Sequence, residues 1–126
     1  MVDLTLEPPG DHHYIRSLSA RGIRIGETFY QRSLIVSASA LVSDWAPQAV
    51  DQIQAEHLDQ IIELEPEVVL LGTGARQHFL PAHQMYHFYG KGIGIEVMTT
   101  DAACRTFNVL VTEGRKVVAG LLPCAS

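Results

Sequence analysis

Hydrophobic residues recur at two different spacings in the last third of the chain. Residues 92–98 read GIGIEVM, so an isoleucine or valine stands at every second position through residue 97, which is the period of a pleated strand. Thr99, Thr100 and Asp101 follow directly, and short oxygen-bearing side chains of this kind cap the start of a helix. The pattern therefore predicts a strand, a tight polar turn and the beginning of a helix.

The predicted helix continues from this turn as far as Gly114, a residue type that closes many helices. Its apolar stripe recurs at i, i+4, i+7 and i+8 and consists of Ala103, Phe107, Leu110 and Val111. Arg105, Asn108 and Thr112 fall on another face. Asp101 and Arg105 are four residues apart with the acid first, so we expect them to pair along the helix.

Strands and helices alternate through the second half of the chain. A helix is predicted over residues 55–63, and residues 68–71 form an apolar run without alternation, as expected for a strand covered on both faces. A second helix over residues 82–89 begins after Pro81, and residues 116–122 supply a last strand. A strand–helix–strand–helix–strand order predicts parallel strands joined by crossover helices.

The first half of the chain is predicted to be mainly strands. Residues 2–6 alternate between apolar and polar, and β-prone segments follow at 14–19, 23–30 and 32–40, with a turn at 21–22. Short connections between them favour antiparallel pairing, whereas residues 41–50 are predicted to be irregular. We therefore expect a mixed α/β domain in which these strands extend or face the sheet of the second half.

Composition narrows the class of protein. The chain has 126 residues with 47% hydrophobic residues, so we expect one globular domain over residues 1–126. Its net charge of −5 argues against nucleic-acid binding, and no apolar run approaches the length of a membrane span. Two cysteines and the absence of a signal-peptide pattern favour the cytoplasm. We expect no cofactor.

Two stretches are candidates for a ligand site. Gly72, Thr73 and Gly74 end the predicted central strand, where glycines let a ligand approach the backbone, although close packing explains them equally well. The second stretch is the predicted helix start with Thr100, Asp101 and Arg105. Free N–H groups and a guanidinium could hold a small anion there, but a capped helix with an Asp101–Arg105 pair is the commoner arrangement. In a parallel sheet both stretches lie at one rim.

Other reactive side chains have structural explanations. Trp45 fits burial against the sheet, and Cys104, which a helix start could activate as a nucleophile, fits a small buried residue better. His83 and His87 have the spacing of a two-histidine metal site, and His78 precedes them. No nearby cysteine or carboxylate completes a coordination shell, so we predict no metal.

Three ordered motifs carry a family resemblance: residues 70–74 (LLGTG), residues 92–98 (GIGIEVM) and residues 100–108 (TDAACRTFN). With them the chain resembles a conserved-domain family of unknown function in bacteria and archaea, whose mitochondrial relatives are the complex I assembly factor 3 proteins. The resemblance implies a three-layer β/β/α fold with a mixed sheet. It implies no catalytic mechanism, and the eukaryotic relatives act by association with other assembly proteins.

Two functions follow from these observations. Because no complete catalytic set is present and the family resemblance points to association, the first is a non-enzymatic binding or assembly domain with a protein partner or a second copy of itself. It predicts an exposed apolar patch. The second is a small-molecule or anion-binding protein, or an enzyme, that uses the rim formed by Gly72, Thr73, Gly74, Thr100, Asp101 and Arg105.

Overall fold

The computed structural model of the chain describes residues 2–3 and 12–124. In chain order its elements are β1 (Val2–Asp3), β2 (Ile15–Ser19), β3 (Gly22–Ile25), β4 (Thr28–Tyr30), β5 (Leu34–Ser37), β6 (Leu41–Val42), α1 (Ala55–Ile62), β7 (Val68–Gly72), α2 (Ala82–Tyr89), β8 (Gly94–Met98), α3 (Thr100–Thr112) and β9 (Val117–Leu121). A short 3-10 helix, Val50–Gln52, precedes α1.

The strands form two sheets. Strands β1 to β4 make a small antiparallel sheet in chain order, and the other five make a large sheet in the order β6-β5-β9-β7-β8. In the large sheet β7 runs parallel to both β8 and β9, whereas β5 is antiparallel to β6 and β9. The predicted mixed sheet, with parallel strands from the second half of the chain, is therefore confirmed. The N-terminal strands do both things that the sequence allowed, since β5 and β6 extend the large sheet and the small sheet faces it.

The large sheet forms the middle of three layers. Along β7 and its neighbours, alternate side chains enter different cores: Leu70 packs towards α3 and the small sheet, while Val69 and Leu71 pack towards α1 and α2. Since β7 is covered on both faces, its apolar run lacks polar positions, as the sequence predicted. The three-layer β/β/α fold is confirmed, with α3 sharing the outer layer of the small sheet.

Trp45 is buried against the large sheet, as expected for a large aromatic residue. Its ring lies 3.0 Å from the position that a Cβ would take on Gly120 of β9. The sheet therefore accepts the indole because β9 carries no side chain at this point.

Asn108 joins α3 to the small sheet. Its side-chain Oδ1 accepts from the N–H of Ile15 at 2.9 Å, and its Nδ2 donates to the carbonyl of Ile15 at 2.8 Å. Within the described residues, β1 pairs with β2 only at Ser17 and Leu18, so the amide takes the place of a neighbouring strand beside Ile15. The sequence had placed Asn108 with Arg105 and Thr112, but unlike those two exposed side chains it is buried.

The structure corrects several boundaries. Residues 41–50, predicted to be irregular, begin with strand β6, which is too short to show a periodic pattern. Residues 23–30 divide into two strands at a turn, and the turn predicted at 21–22 lies at 20–21. Gly22 instead opens β3 with a φ of 110°, and a Cβ there would collide with the Tyr30 carbonyl. Of the strand predicted over residues 2–6, Val2–Asp3 is confirmed and the rest lies outside the described residues.

Candidate functional site

The two predicted stretches meet at the carboxyl ends of β7 and β8. The N–H of Gly74 donates to Oγ1 of Thr100 at 2.8 Å, and the N–H of Thr100 donates to the carbonyl of Gly74 at 3.0 Å. The N–H of Thr73 is also taken, because it donates to the Met98 carbonyl at 2.9 Å. The rim that the sequence predicted therefore exists, and its backbone donors at Thr73, Gly74 and Thr100 bond within the protein.

Thr100 is the centre of this corner and is fully buried. Besides accepting from Gly74, its hydroxyl donates to the carbonyl of Leu122 at 2.7 Å. One side chain thus joins the loop after β7, the start of α3 and the residue after β9. Thr99 caps α3, since its Oγ1 accepts from the N–H of Ala102 at 3.2 Å.

Gly72 allows α3 to approach the end of β7. A Cβ at Gly72 would lie 2.8 Å from Cα of Thr100 and 2.9 Å from its Oγ1. Backbone atoms at such a distance must move apart, because van der Waals contact between carbon atoms begins near 3.5 Å. The glycine is therefore explained by close packing of the helix against the strand.

We expect Gly72→Ala to lower the free energy of unfolding by about 2 kcal/mol, as is usual when a packed interior receives an extra carbon. Urea denaturation followed by circular dichroism measures this change. Gly92→Ala is an unsuitable control because its φ is 75°, so Gly94→Ala, where the nearest atom is 3.8 Å away, serves instead. Equal stability of the two variants would contradict the packing explanation.

Asp101 and Arg105 form the predicted pair along α3. Nη1 of Arg105 donates to Oδ2 of Asp101 at 2.7 Å, and both side chains are partly exposed. The other carboxylate oxygen, Oδ1, is buried without a hydrogen-bond partner in the described part of the chain. A surface pair of this kind contributes a few tenths of a kcal/mol.

An open cleft of 830 Å³ lies beside the corner. Its polar lining comes from residues on the loop after β7, on α2 and around the 3-10 helix, including Thr73, Arg76, His78, His83 and Gln84. Gly74 also lines it, whereas Thr100, Asp101 and Arg105 do not. The structure therefore brings the six predicted site residues to one rim, but of the six only Thr73 and Gly74 line the cleft.

Gln84 on α2 is a buried polar side chain that the sequence analysis missed. Its Nε2 donates to the carbonyl of Ile53 at 2.9 Å, which joins α2 to the segment before α1. Its Oε1 is buried and has no partner among the described residues. No sequence signal distinguished Gln84 from a surface glutamine, because its burial depends on a contact 31 positions away.

The histidines of α2 do not converge. Nε2 of His87 lies 2.8 Å from Oδ1 of Asp59 on α1, whereas His83 faces the cleft. In the described ranges, no three histidine, cysteine, aspartate or glutamate side chains form a metal-binding group. Burial raises the pKa of the Cys104 thiol, which therefore has the inert, buried character that the sequence favoured over a nucleophile.

Three aromatic side chains are exposed around α2. Phe79 in the preceding loop is 90% exposed, Tyr86 is 71% exposed and Tyr89 is 51% exposed. We call these three residues the aromatic face. Tyr86 and Tyr89 lie off the buried side of α2, which carries Gln84 and Phe88. Aromatic residues outside the apolar stripe of a helix were the sequence signal that could have indicated these two.

None of the helices in the described residues is both long and apolar enough to cross a bilayer.

The chain is similar in sequence to named proteins from a vertebrate and a bacterium. An assembly factor from Danio rerio, named NADH dehydrogenase [ubiquinone] 1 alpha subcomplex assembly factor 3, is 38% identical over 112 residues, covering 86% of this chain and 63% of that protein. A Francisella tularensis subsp. holarctica (strain LVS) protein named 13 kDa major membrane protein is 36% identical over 98 residues, covering 75% of this chain and 76% of that protein. The chain thus spans less than two thirds of the Danio rerio relative.

A crystal structure of a Bordetella parapertussis protein superposes with a TM-score of 0.84 at 35% identity, covering 92% of this chain and 99% of that one. The shared fold therefore extends to an experimentally determined structure. A family model also matches residues 15–122, which is most of the chain. The resemblance seen in the sequence motifs is confirmed, and the chain belongs to the family described as Protein of unknown function (DUF498/DUF598).

Proposed function

We propose that the chain is a non-enzymatic protein-binding domain of the assembly-factor kind, and that the aromatic face is its contact surface. The observation that carries the proposal is the exposure of Phe79, Tyr86 and Tyr89 on and beside one helix. Tyrosine and phenylalanine are enriched at protein interfaces, because a large ring buries much apolar area for little loss of side-chain entropy.

The relatives support a protein partner. The Danio rerio relative is named as an NADH dehydrogenase subcomplex assembly factor, and this chain matches 63% of its length. A domain that assists assembly needs a surface that is exposed before the partner arrives and covered afterwards. The aromatic face meets the first condition, since its three side chains are exposed in the free chain, whereas Phe88 of α2 is already buried in the core.

The alternative is an anion-binding site, with or without an enzymatic activity, at Gly72, Thr73, Gly74, Thr100, Asp101 and Arg105. It has less support, because the N–H groups of Thr73 and Gly74 bond internally and the guanidinium of Arg105 already holds Asp101. A ligand there would have to share the guanidinium with Asp101, which already occupies Nη1 of Arg105.

The cytoplasm is the location that we propose, with one domain over residues 1–126. Both cysteines are free thiols, as in proteins of a reducing compartment. The Francisella relative carries the word membrane in its name, so fractionation of cells that make this protein is the direct test of location.

Photocrosslinking in the source cells tests the contact surface. We expect p-benzoylphenylalanine at position 79 or 86 to give the same covalent adduct with one other protein, because both side chains belong to the aromatic face. Val109 provides the matched control, since it is 56% exposed but lies on α3, across the large sheet from α2. Mass spectrometry of the adducts identifies the partner.

Adducts that form equally from position 109, or none from 79 and 86, would contradict the proposed surface. An adduct at twice the mass of the chain would show that the partner is a second copy of this protein and would contradict a different partner protein.

A further inference from the structure

Among the strands that the structure describes, β8 lies at an edge of the large sheet and has β7 as its one neighbour. The N–H of Gly94 donates to the Glu67 carbonyl, and the carbonyl of Met98 accepts from Thr73, so these alternate positions face β7. In a parallel pair the intervening residues face the other way. The backbone groups of Ile95 and Val97 therefore point out of the sheet.

Most of these outward groups have no partner in the described residues. The carbonyl of Val97 accepts from Nε2 of Gln77 at 3.2 Å, which covers one end of the edge. The N–H groups of Ile95 and Val97 and the carbonyl of Ile95 remain, and they are spaced as an added strand requires.

Helix α2 supplies an apolar wall along this edge. His87 turns towards α1 to meet Asp59, so the side of α2 away from α1 carries Met85 and Tyr89. That side lies at the β8 edge, because β8 is the outermost strand and its Ile95 packs in the same core as Met85. Tyr89 of the aromatic face follows Met85 by one helical turn on the same side of α2.

The opposite face of β8 carries a negative charge. Glu96 is exposed, pairs in register with Leu70 of β7 and forms no ion pair with any described residue. Opposite charges on directly facing residues of adjacent strands stabilise the pairing. A strand added to β8 is therefore favoured if it has a lysine or arginine opposite Glu96 and apolar residues on either side.

We propose that β8 binds an extended segment of a partner protein as a sixth strand, with alternating apolar and basic residues. The apolar residues lie beneath Met85 and Tyr89, and a basic residue faces Glu96. This inference rests on the proposed function and deepens it, because it defines the form in which the partner binds. Strand addition draws its affinity from main-chain hydrogen bonds and its specificity from alternate side chains.

The synthetic peptide acetyl-Thr-Lys-Val-Lys-Val-Lys-Thr-amide tests the inference. In an antiparallel pairing its central lysine faces Glu96 and its two valine N–H groups face Val97 and Ile95. In NMR spectra of the labelled full chain, we expect the amide protons of Ile95 and Val97 to become protected from solvent exchange on titration. Those of Glu96 and Met98 are protected before and after. A peptide methylated on both valine nitrogens has the same charge and should not bind.

Three variants separate the backbone and charge contributions. Val97→Pro removes one outward N–H without touching the bonds to β7, and Val97→Ala keeps that N–H as the matched control. We expect Val97→Pro to bind the peptide about tenfold more weakly than Val97→Ala, as for a lost main-chain hydrogen bond. Glu96→Lys should weaken binding about fivefold and favour a peptide with glutamate in place of lysine. The charge reversal keeps the test decisive if Val97→Pro does not fold.

Binding that is unaffected by nitrogen methylation, or protection absent from Ile95 and Val97, would overturn the strand proposal. A dimer seen by sedimentation that is lost in Val97→Pro but not in Val97→Ala would also overturn it, because the occupant would be a second copy. These results are distinguishable from failure of the proposed function. If position 86 crosslinks to a partner while the edge stays unprotected, the contact surface is retained and only the strand mode is wrong.

Discussion

Replacing Asn108 with leucine should lower the free energy of unfolding by about 3 kcal/mol, because two buried backbone groups would lose their partner at once. The asparagine amide accepts from the N–H of Ile15 and donates to its carbonyl. Leucine has a similar volume and cannot do either. In the described residues, β1 pairs with β2 only at Ser17 and Leu18, so none of the described strands could bond the freed N–H and carbonyl of Ile15 on that side.

Chemical denaturation measures the loss for Asn108→Leu, and hydrogen exchange locates it. The amide proton of Ile15 should exchange with solvent much faster in the variant, while amides in β7 keep most of their protection. Thr112→Leu is the control, since it makes a similar change at an exposed position of the same helix. If both variants unfold at the same denaturant concentration, Asn108 is not the link between α3 and the small sheet.

The elements of this fold could be predicted where a local pattern was long enough to be periodic. The α2 helix was predicted at its observed bounds, and the strand over residues 68–71 was recognised as buried because its run of apolar residues lacks alternation. The two-residue strand β6 offered no such pattern. It is joined to β5 through a short turn, and β5 in turn pairs with β9, which is about 80 residues away along the chain and outside any local window.

Contacts between distant residues explain what the sequence missed. Asn108 meets Ile15 across 93 positions, so the helical pattern placed it on a polar face without showing that this face is buried by a second sheet. For Gln84 the partner is Ile53, 31 positions away. In both cases one amide satisfies a main-chain group that the other elements leave unpaired.

At the candidate site, too, the position of the residues could be predicted from the sequence, but their hydrogen-bond partners could not. Parallel pairing of β7 and β8 could be predicted, and it brings Gly74 next to the start of α3. The sequence could not show that the N–H donors of Thr73, Gly74 and Thr100 already have acceptors within the protein. Because these N–H groups already have hydrogen-bond partners, the exposed aromatic face and the unpaired edge of β8 are the better candidates for function. A binding partner can cover exposed apolar groups and bond to unpaired backbone groups.

Replacing Thr100 with valine should also lower the free energy of unfolding by about 3 kcal/mol. Valine has almost the shape of threonine, so the packing against Gly72 is kept while the hydroxyl is lost. The N–H of Gly74 and the carbonyl of Leu122 would then be buried without their partner. Thr100→Ser retains the hydroxyl and should be less destabilised, by about 1 kcal/mol for the lost methyl group.

The two variants also separate a structural role of Thr100 from a ligand-binding one. If the residue acts only as the centre of the corner, Thr100→Val is destabilised in buffers with and without added phosphate or sulfate by the same amount. If the corner binds an anion, these ions raise the melting temperature of the natural protein and of Thr100→Ser but not of Thr100→Val. We expect the first result, because the hydroxyl already donates to the Leu122 carbonyl and accepts from Gly74. Valine that is tolerated as well as serine would contradict the structural role.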